Sequence, residues 1–152
     1  MTSRPFWESA FEDLEAPSPF GPPSAEFADL LPSLPPNASV VDLGCGDGRN
    51  ALFLARHGCR VEALDISHAA IAKLTALAAQ EHLPIEARVC DLREHSVDGT
   101  YDLVIAHGSL HLLERHHWAR LLVEAKAHTR PGGYHVIVVF TDTIPPPDDL
   151  RP

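Results

Sequence analysis

From Ser39 onward, short apolar runs alternate with amphipathic stretches, and that alternation leaves the chain few folds to adopt. Strands are expected at Ser39–Leu43, Arg60–Leu64, Ile85–Cys90, Tyr101–Ala106 and Tyr134–Phe140. Helices are expected at Arg49–His57, His68–His82 and Arg115–Thr129. In the second helix Ile71, Leu74 and Leu77 or Ala78 form one stripe, with Ser67 placed to cap it. Trp118, Leu121, Leu122 and Ala125 make the corresponding stripe in the third. Apolar strands alternating with helices imply an α/β architecture, a parallel sheet covered on both faces. In such sheets ligands bind beyond the carboxyl ends of the strands, where the strand order reverses.

Residues 1–38 read differently. Prolines at positions 5, 17, 19, 22, 23, 32, 35 and 36 cut this region into short pieces. Two pieces can be helical, Phe6–Leu14 and Ser24–Leu31, the second with Ser24 in N-cap position. The five aromatic residues Phe6, Trp7, Phe11, Phe20 and Phe27 suit a lid over a cationic ligand, or simply a helix packed on the sheet. The expected organisation is therefore an N-terminal helical lid over 1–38, a ligand-binding domain over 39–141 and a Pro-rich tail over 142–152.

The first strand runs into a glycine-rich turn, Val40-Val41-Asp42-Leu43-Gly44-Cys45-Gly46-Asp47-Gly48-Arg49-Asn50. Glycines let backbone approach a ligand closely, and the helix start beyond them offers unpaired N–H groups. Asp42 would repel a pyrophosphate, and Arg49 stands where a dinucleotide fingerprint has its third glycine. The turn thus favours a ligand with positive as well as negative charge, such as S-adenosylmethionine. Asp42, Asp65 and Asp91 end three successive strands and would share one crevice. Asp65 has the position of an acid that accepts from ribose hydroxyls, and Asp91 is an acceptor suited to an adenine amine.

These segments resemble the class I S-adenosylmethionine-dependent methyltransferases. VVDLGCGDGRN is similar to their first motif, VEALDIS to the second, and VCDL to the adenine-side motif. YDLVIAHGSLHLL is similar to the strand and loop facing the methyl group, and RPGGYHVIVVF to the turn and fifth strand. The matches run in order through residues 38–141. Within that group, GRNALFLARHG and TRPGGYHVIV followed by Asp142-Thr143 are most like the tellurite-resistance (TehB-type) methyltransferases. The resemblance implies a Rossmann-like, doubly wound, mostly parallel sheet of order 3-2-1-4-5. It also implies methyl transfer to a small-molecule acceptor, including a soft oxyanion such as tellurite or selenite.

By that resemblance Gly44, Gly46 and Gly48 line the methionyl part of the cofactor, with Asp42 near its amino group. Asp65 holds the ribose hydroxyls, Ile66 packs on the adenine, Asp91 accepts from its amine and the Leu92 N–H donates to its ring. His107 places its backbone near the amine or the sulfonium. His107 and His111 are the candidate catalytic residues, His111 as a base for an oxygen or nitrogen nucleophile. A sulfur, selenium or tellurium nucleophile needs no base, and catalysis is then alignment and exclusion of water. Arg49 and Asn50 either reach substrate or bond across the loop.

Other classes are disfavoured. The ten histidines include His107, His111, His116 and His117, but Gly108 and Ser109 interrupt any helix that would bring two to one metal, and none is expected. With 12 basic against 21 acidic side chains and a net charge of −9, neither nucleic acid nor an anionic membrane is an expected partner. Cys45, Cys59 and Cys90 lack metal or disulfide spacing and suit a reduced, cytoplasmic setting. The family normally continues past its fifth strand with a helix and an antiparallel strand pair, which are not seen here. That leaves His135–Phe140 as an exposed edge, pointing to a homodimer or to a piece of a longer protein. The alternatives are a cofactor-binding module without turnover and, from a third class, an NAD(P)-dependent oxidoreductase.

Overall fold

A computed structural model describes residues 6–141; the expected Pro-rich tail, and with it Asp142-Thr143, lies outside the described residues. Five strands form one parallel sheet of order β3-β2-β1-β4-β5, as expected. They are β1 (Ser39–Leu43), β2 (Arg60–Asp65), β3 (Ile85–Val89), β4 (Tyr101–His107) and β5 (Thr129–Val138). The longer helices are α3 (Arg49–Arg56), α4 (His68–Gln80) and α5 (Arg115–His128), preceded by the short α1 (Phe6–Ala10) and α2 (Ala25–Leu30).

Register explains the two-sided core. Val40 pairs with Val61 and Leu103, and Val41 with Glu62 and Val104, so alternate residues of β1 enter opposite layers. One layer gathers Val40, Val61, Leu103 and Ile105 with Phe27, Leu54 and Leu74. The other gathers Val41, Leu43, Leu64 and Val104 with Leu121 and Ala125 of α5. β1 and β4 are buried almost throughout, as parallel strands with helices on both faces must be. The order reverses between β1 and β4, which opens a crevice at their carboxyl ends.

Ser67 caps α4 as expected, its hydroxyl accepting from Ala70 N–H at 3.2 Å. Ser24 does not cap α2: its hydroxyl is bonded to His107 and its N–H donates to Asn50 Oδ1. A tertiary partner has displaced the local one. α1 ends at Ala10 rather than Leu14, with Asp13 accepting from the N–H groups of Glu15 and Ala16 in a turn. α4 stops at Gln80, because His82 adopts a left-handed backbone (φ 54°).

β5 starts at Thr129 rather than Tyr134. Thr129 pairs with Tyr101, an irregularity follows, and pairing resumes at Leu103 with Tyr134. Gly132 takes φ 80° in that irregularity, and a Cβ on Gly133 would lie 2.9 Å from the Asp102 carbonyl oxygen. Arg130 donates to Asp102 Oδ2 at 2.6 Å, which also accepts from Ser39 N–H at 2.8 Å, tying β5 to β4 and β1.

Candidate cofactor site

β1 delivers Asp42 to the crevice one residue before the chain turns. Both of its carboxylate oxygens are buried and neither has a hydrogen-bond partner. Burial, with Asp65 adding to it and Arg49 opposing, pushes its pKa up to about 7. An unpartnered buried carboxylate is costly unless a cation is supplied. This is the least satisfied charge among the described residues, and it sits beside the glycine turn.

The turn itself is held from both sides. Gly44 and Cys45 donate N–H bonds to the Leu64 carbonyl at 2.7 and 2.9 Å, and Ser109 Oγ donates to the Leu43 carbonyl at 2.5 Å. A Cβ on Gly44 would fall 2.3 Å from Ser109 Cβ, so the turn and the loop after β4 need that glycine to meet. Gly46 has φ 56°, and a Cβ there would lie 3.2 Å from the Phe11 ring. Gly48 answers a different need: a side chain there would strike Leu74, and it stands back from the cavity walls. Its missing side chain makes room for Leu74 between α3 and α4.

Asp65 ends β2, its Oδ2 accepting from Gly46 N–H at 2.8 Å and its Oδ1 from Ser67 N–H at 2.9 Å. Burial raises its pKa against the pull of those N–H groups. The Ile66 N–H adds a third backbone donor, so the carboxylate keeps part of its accepting capacity for a ligand hydroxyl. Asp91 is placed differently. Arg93 holds its carboxylate with a forked pair of bonds, Nε to Oδ2 at 2.9 Å and Nη2 to Oδ2 at 2.5 Å, and pulls its pKa below the usual range. Ile66 and Leu92 line the same cavity, Ile66 largely exposed within it.

The space enclosed is about 640 Å³, lined by the strand ends, Val138 of β5 among them, by Trp7, Phe11 and Phe20 from the N-terminal segment, and by Val139 and Phe140 beyond β5. The side chain of Phe6 lies outside those described. Phe27, the fifth aromatic residue of that segment, belongs to the core and not to the lid. His107 turns its ring from the cavity centre toward α2. Arg49 can only donate, so His107 Nδ1 accepts from it at 3.5 Å, leaving the Nε2 proton facing Ser24 Oγ at 2.8 Å and Glu26 at 3.4 Å. Burial lowers its pKa. His111 lines the cavity with Nδ1 buried and without a partner, its ring edge-on to Phe140 at 4.9 Å, and burial lowers its pKa too. Arg49 and Asn50 bond to the N-terminal segment and not across the glycine loop.

Sequence reasoning missed Ser109, Lys73 and Arg120. Arg120 reaches the carbonyls of Leu92, Arg93 and His95 and thereby braces the loop that carries Asp91 and Leu92. Only the spacing from Arg120 to Glu124 hints at it, and that pair looks like an ordinary surface bridge. Among the described residues no group of three His, Cys, Asp or Glu side chains could hold a metal, and none of the helices is long and apolar enough to cross a membrane. Cys45, Cys59 and Cys90 are free thiols, and burial pushes the Cys45 pKa well up.

The family profile described as tellurite resistance protein TehB matches residues 25–150. The chain belongs to the TehB family. The TehB protein of Haemophilus influenzae strain Rd, named a probable S-adenosyl-L-methionine-dependent methyltransferase, is 34% identical over 110 residues, covering 71% of this chain and 38% of that one. Hemagglutinin 1 of Eikenella corrodens is 40% identical over 104 residues, covering 68% and 35% respectively. The crystal structure of TehB from Haemophilus influenzae superposes with a TM-score of 0.70 at 30% identity, covering 75% of this chain and 40% of that chain. The chain thus spans less than two-fifths of the length of these two curated relatives. The sheet order and the surrounding helices are those of the Rossmann-like methyltransferase fold.

Proposed function

We propose that this chain binds S-adenosylmethionine and catalyses methyl transfer to a small-molecule acceptor. The observation that carries the reading is Asp42, a buried carboxylate with two unpartnered oxygens beside a glycine turn, which a ligand ammonium would satisfy. The residues present fit the group: Gly44 and Gly46 leave backbone bare, Asp65 keeps lone pairs for hydroxyls, and Ile66 offers an apolar face. Asp91 is assigned to the adenine amine and the Leu92 N–H to the ring. For Asp91 to accept, its fork with Arg93 must open or share. Bound there, the cofactor supplies an electrophilic methyl on a sulfonium. The chain's own part is to pair the ammonium with Asp42, fix the ribose at Asp65 and exclude water with Trp7, Phe11 and Phe20.

Of the two histidines, we assign a base role to His111, for an acceptor whose nucleophile needs deprotonation. His107 has both ring nitrogens engaged and is assigned to holding α2, with its backbone toward the cofactor. The acceptor we favour is uncharged. Two arginines line the cavity, and both are committed, Arg49 to backbone carbonyls and Arg93 to Asp91, while Asp42, Asp47, Asp65 and Asp91 make the surroundings acidic. A tellurite or selenite oxyanion is the second reading, favoured by the family alone. A binding module without turnover shares the cofactor and differs only in the assay. The free cysteines accord with a cytoplasmic setting. The outer edge of β5, where Tyr134 and Ile137 are exposed, is assigned to pairing with a second copy, and a concentration-independent monomer in solution would refute that assignment.

Calorimetric titration with S-adenosylhomocysteine and with NADH tests the cofactor. Binding of the former alone is expected, and its absence would overturn the reading. Methyl incorporation into a neutral thiol, compared with selenite and tellurite, then separates the acceptor classes and the module.

A further inference from the structure

Asp47, Arg49 and Asn50 lie within and just after the glycine turn, and each bonds to the N-terminal segment. Asp47 Oδ1 accepts from Ser18 Oγ at 2.7 Å, and Oδ2 pairs with Lys73 Nζ at 3.1 Å. Lys73 also donates to the Ala16 carbonyl at 2.8 Å. Arg49 Nη1 donates to the carbonyls of Phe20 and Pro22 at 3.0 and 2.6 Å, and Asn50 Oδ1 accepts from Ser24 N–H at 3.1 Å. Partners lie 26 or more residues apart in the chain, so these are tertiary tethers and not local turn bonds.

The tethers hold residues 16–24, the stretch that supports the aromatic cover of the turn. Phe11 lies against Gly46, and Phe20 packs on Phe11 with ring centroids 5.8 Å apart. The Asp47 and Lys73 side chains are 4% and 3% exposed. A buried ion pair needs further hydrogen bonds, and here Ser18 and the Ala16 carbonyl supply one to each partner. Lifting the segment would strand both charges, so the pair and the covering segment hold each other in place. Arg49 and Asn50 also begin α3, so a movement of the turn is passed directly to the segment above it.

We propose that Asp47, Arg49, Asn50 and Lys73 form a latch that seats residues 16–24 over the glycine turn, and that opening this latch gates ligand entry and exit. They are positioning residues, acting through Phe11 and Phe20. The gating half rests on the cofactor reading; the latch itself does not.

Hydrogen exchange of the unliganded chain tests the latch, and the dissociation rate of S-adenosylhomocysteine tests the gate. Arg49→Gln and Ser18→Ala should each speed exchange of amides in residues 12–24 by about tenfold, the loss expected for one charge-assisted bond. β1 and β4 should keep wild-type protection. S-adenosylhomocysteine should leave about tenfold faster, and Arg49→Lys should restore part of both effects. If Arg49→Gln also loosens β1, Ser18→Ala alone decides the test. Unchanged exchange in residues 12–24 overturns the latch. Faster exchange with an unchanged dissociation rate overturns the gate and keeps the latch. A wild-type chain that does not bind S-adenosylhomocysteine, in which Arg49→Gln still loosens the segment, supports the latch and overturns the cofactor reading.

Discussion

The floor and the roof of the cavity are built on opposite principles. The floor, made by the ends of β1 and β2, places carboxylates at the carboxyl ends of inner strands and leaves Asp42 without a partner. The roof, made by the N-terminal segment, has polar groups that are matched to Asp47, Arg49, Asn50 and Lys73. On the proposed reading, an unmet charge on the base awaits a cation, whereas the satisfied tethers hold a short segment as a cover. The floor should therefore gain stability when its charge is removed, and the roof should lose order when its tethers are.

Asp42→Asn separates these most strongly. S-adenosylhomocysteine affinity should fall by about a hundredfold, the scale for losing a buried charge pair, while the melting temperature of the unliganded chain rises because a desolvated carboxylate is gone. Loss of both binding and stability would erase the contrast. Asp65→Ala should also cost most of the affinity, but with the opposite effect on the unliganded chain: its melting temperature should drop, since Gly46 and Ser67 lose their acceptor.

pH sharpens the same distinction. Asp42 is raised in the folded chain to about 7 from 3.8, so the fold binds the proton more tightly than the unfolded chain does. Between those values stability should fall as pH rises, because the native carboxyl must ionise without a partner. Ligand binding has the opposite sign. An ammonium needs the ionised carboxylate, so affinity should weaken by up to about tenfold per unit as pH falls below about 7. Titrations at pH 6, 7 and 8 would reveal the slope, and Asp42→Asn should abolish it. Ser67→Ala should have the smallest effect, about 1 kcal/mol by denaturant unfolding from the lost cap, with S-adenosylhomocysteine affinity nearly unchanged.

Much of the floor was legible because its signals are local. Glycines of positive φ, an acid at a strand end and apolar runs of strand length each report their own conformation. Thus β1, β2 and β4 fell within a residue of their expected bounds, and Ser67 capped α4. The departures occur where a distant partner decides. Ser24 has the chemistry of a cap but bonds to His107 from 83 residues away. Phe27 has the chemistry of a lid residue but fills a core position against β1 and α3. Thr129 reads as a helix end and residues 130–133 as a turn, yet both enter β5 because Tyr101 and Asp102 offer them partners.

By itself, the sequence determined the α/β alternation, the strand order through its family motifs, and the residue types that meet at the crevice. Those follow from periodicity and backbone preference, which each segment carries alone. Tertiary structure decided which of the acids would stand unpaired. Asp42, Asp65 and Asp91 are alike as letters, but one is orphaned by burial, one is cradled by N–H groups and one is held by Arg93. Solvation and partners belong to the folded surroundings of a side chain, and they convert three aspartates into three different chemical groups.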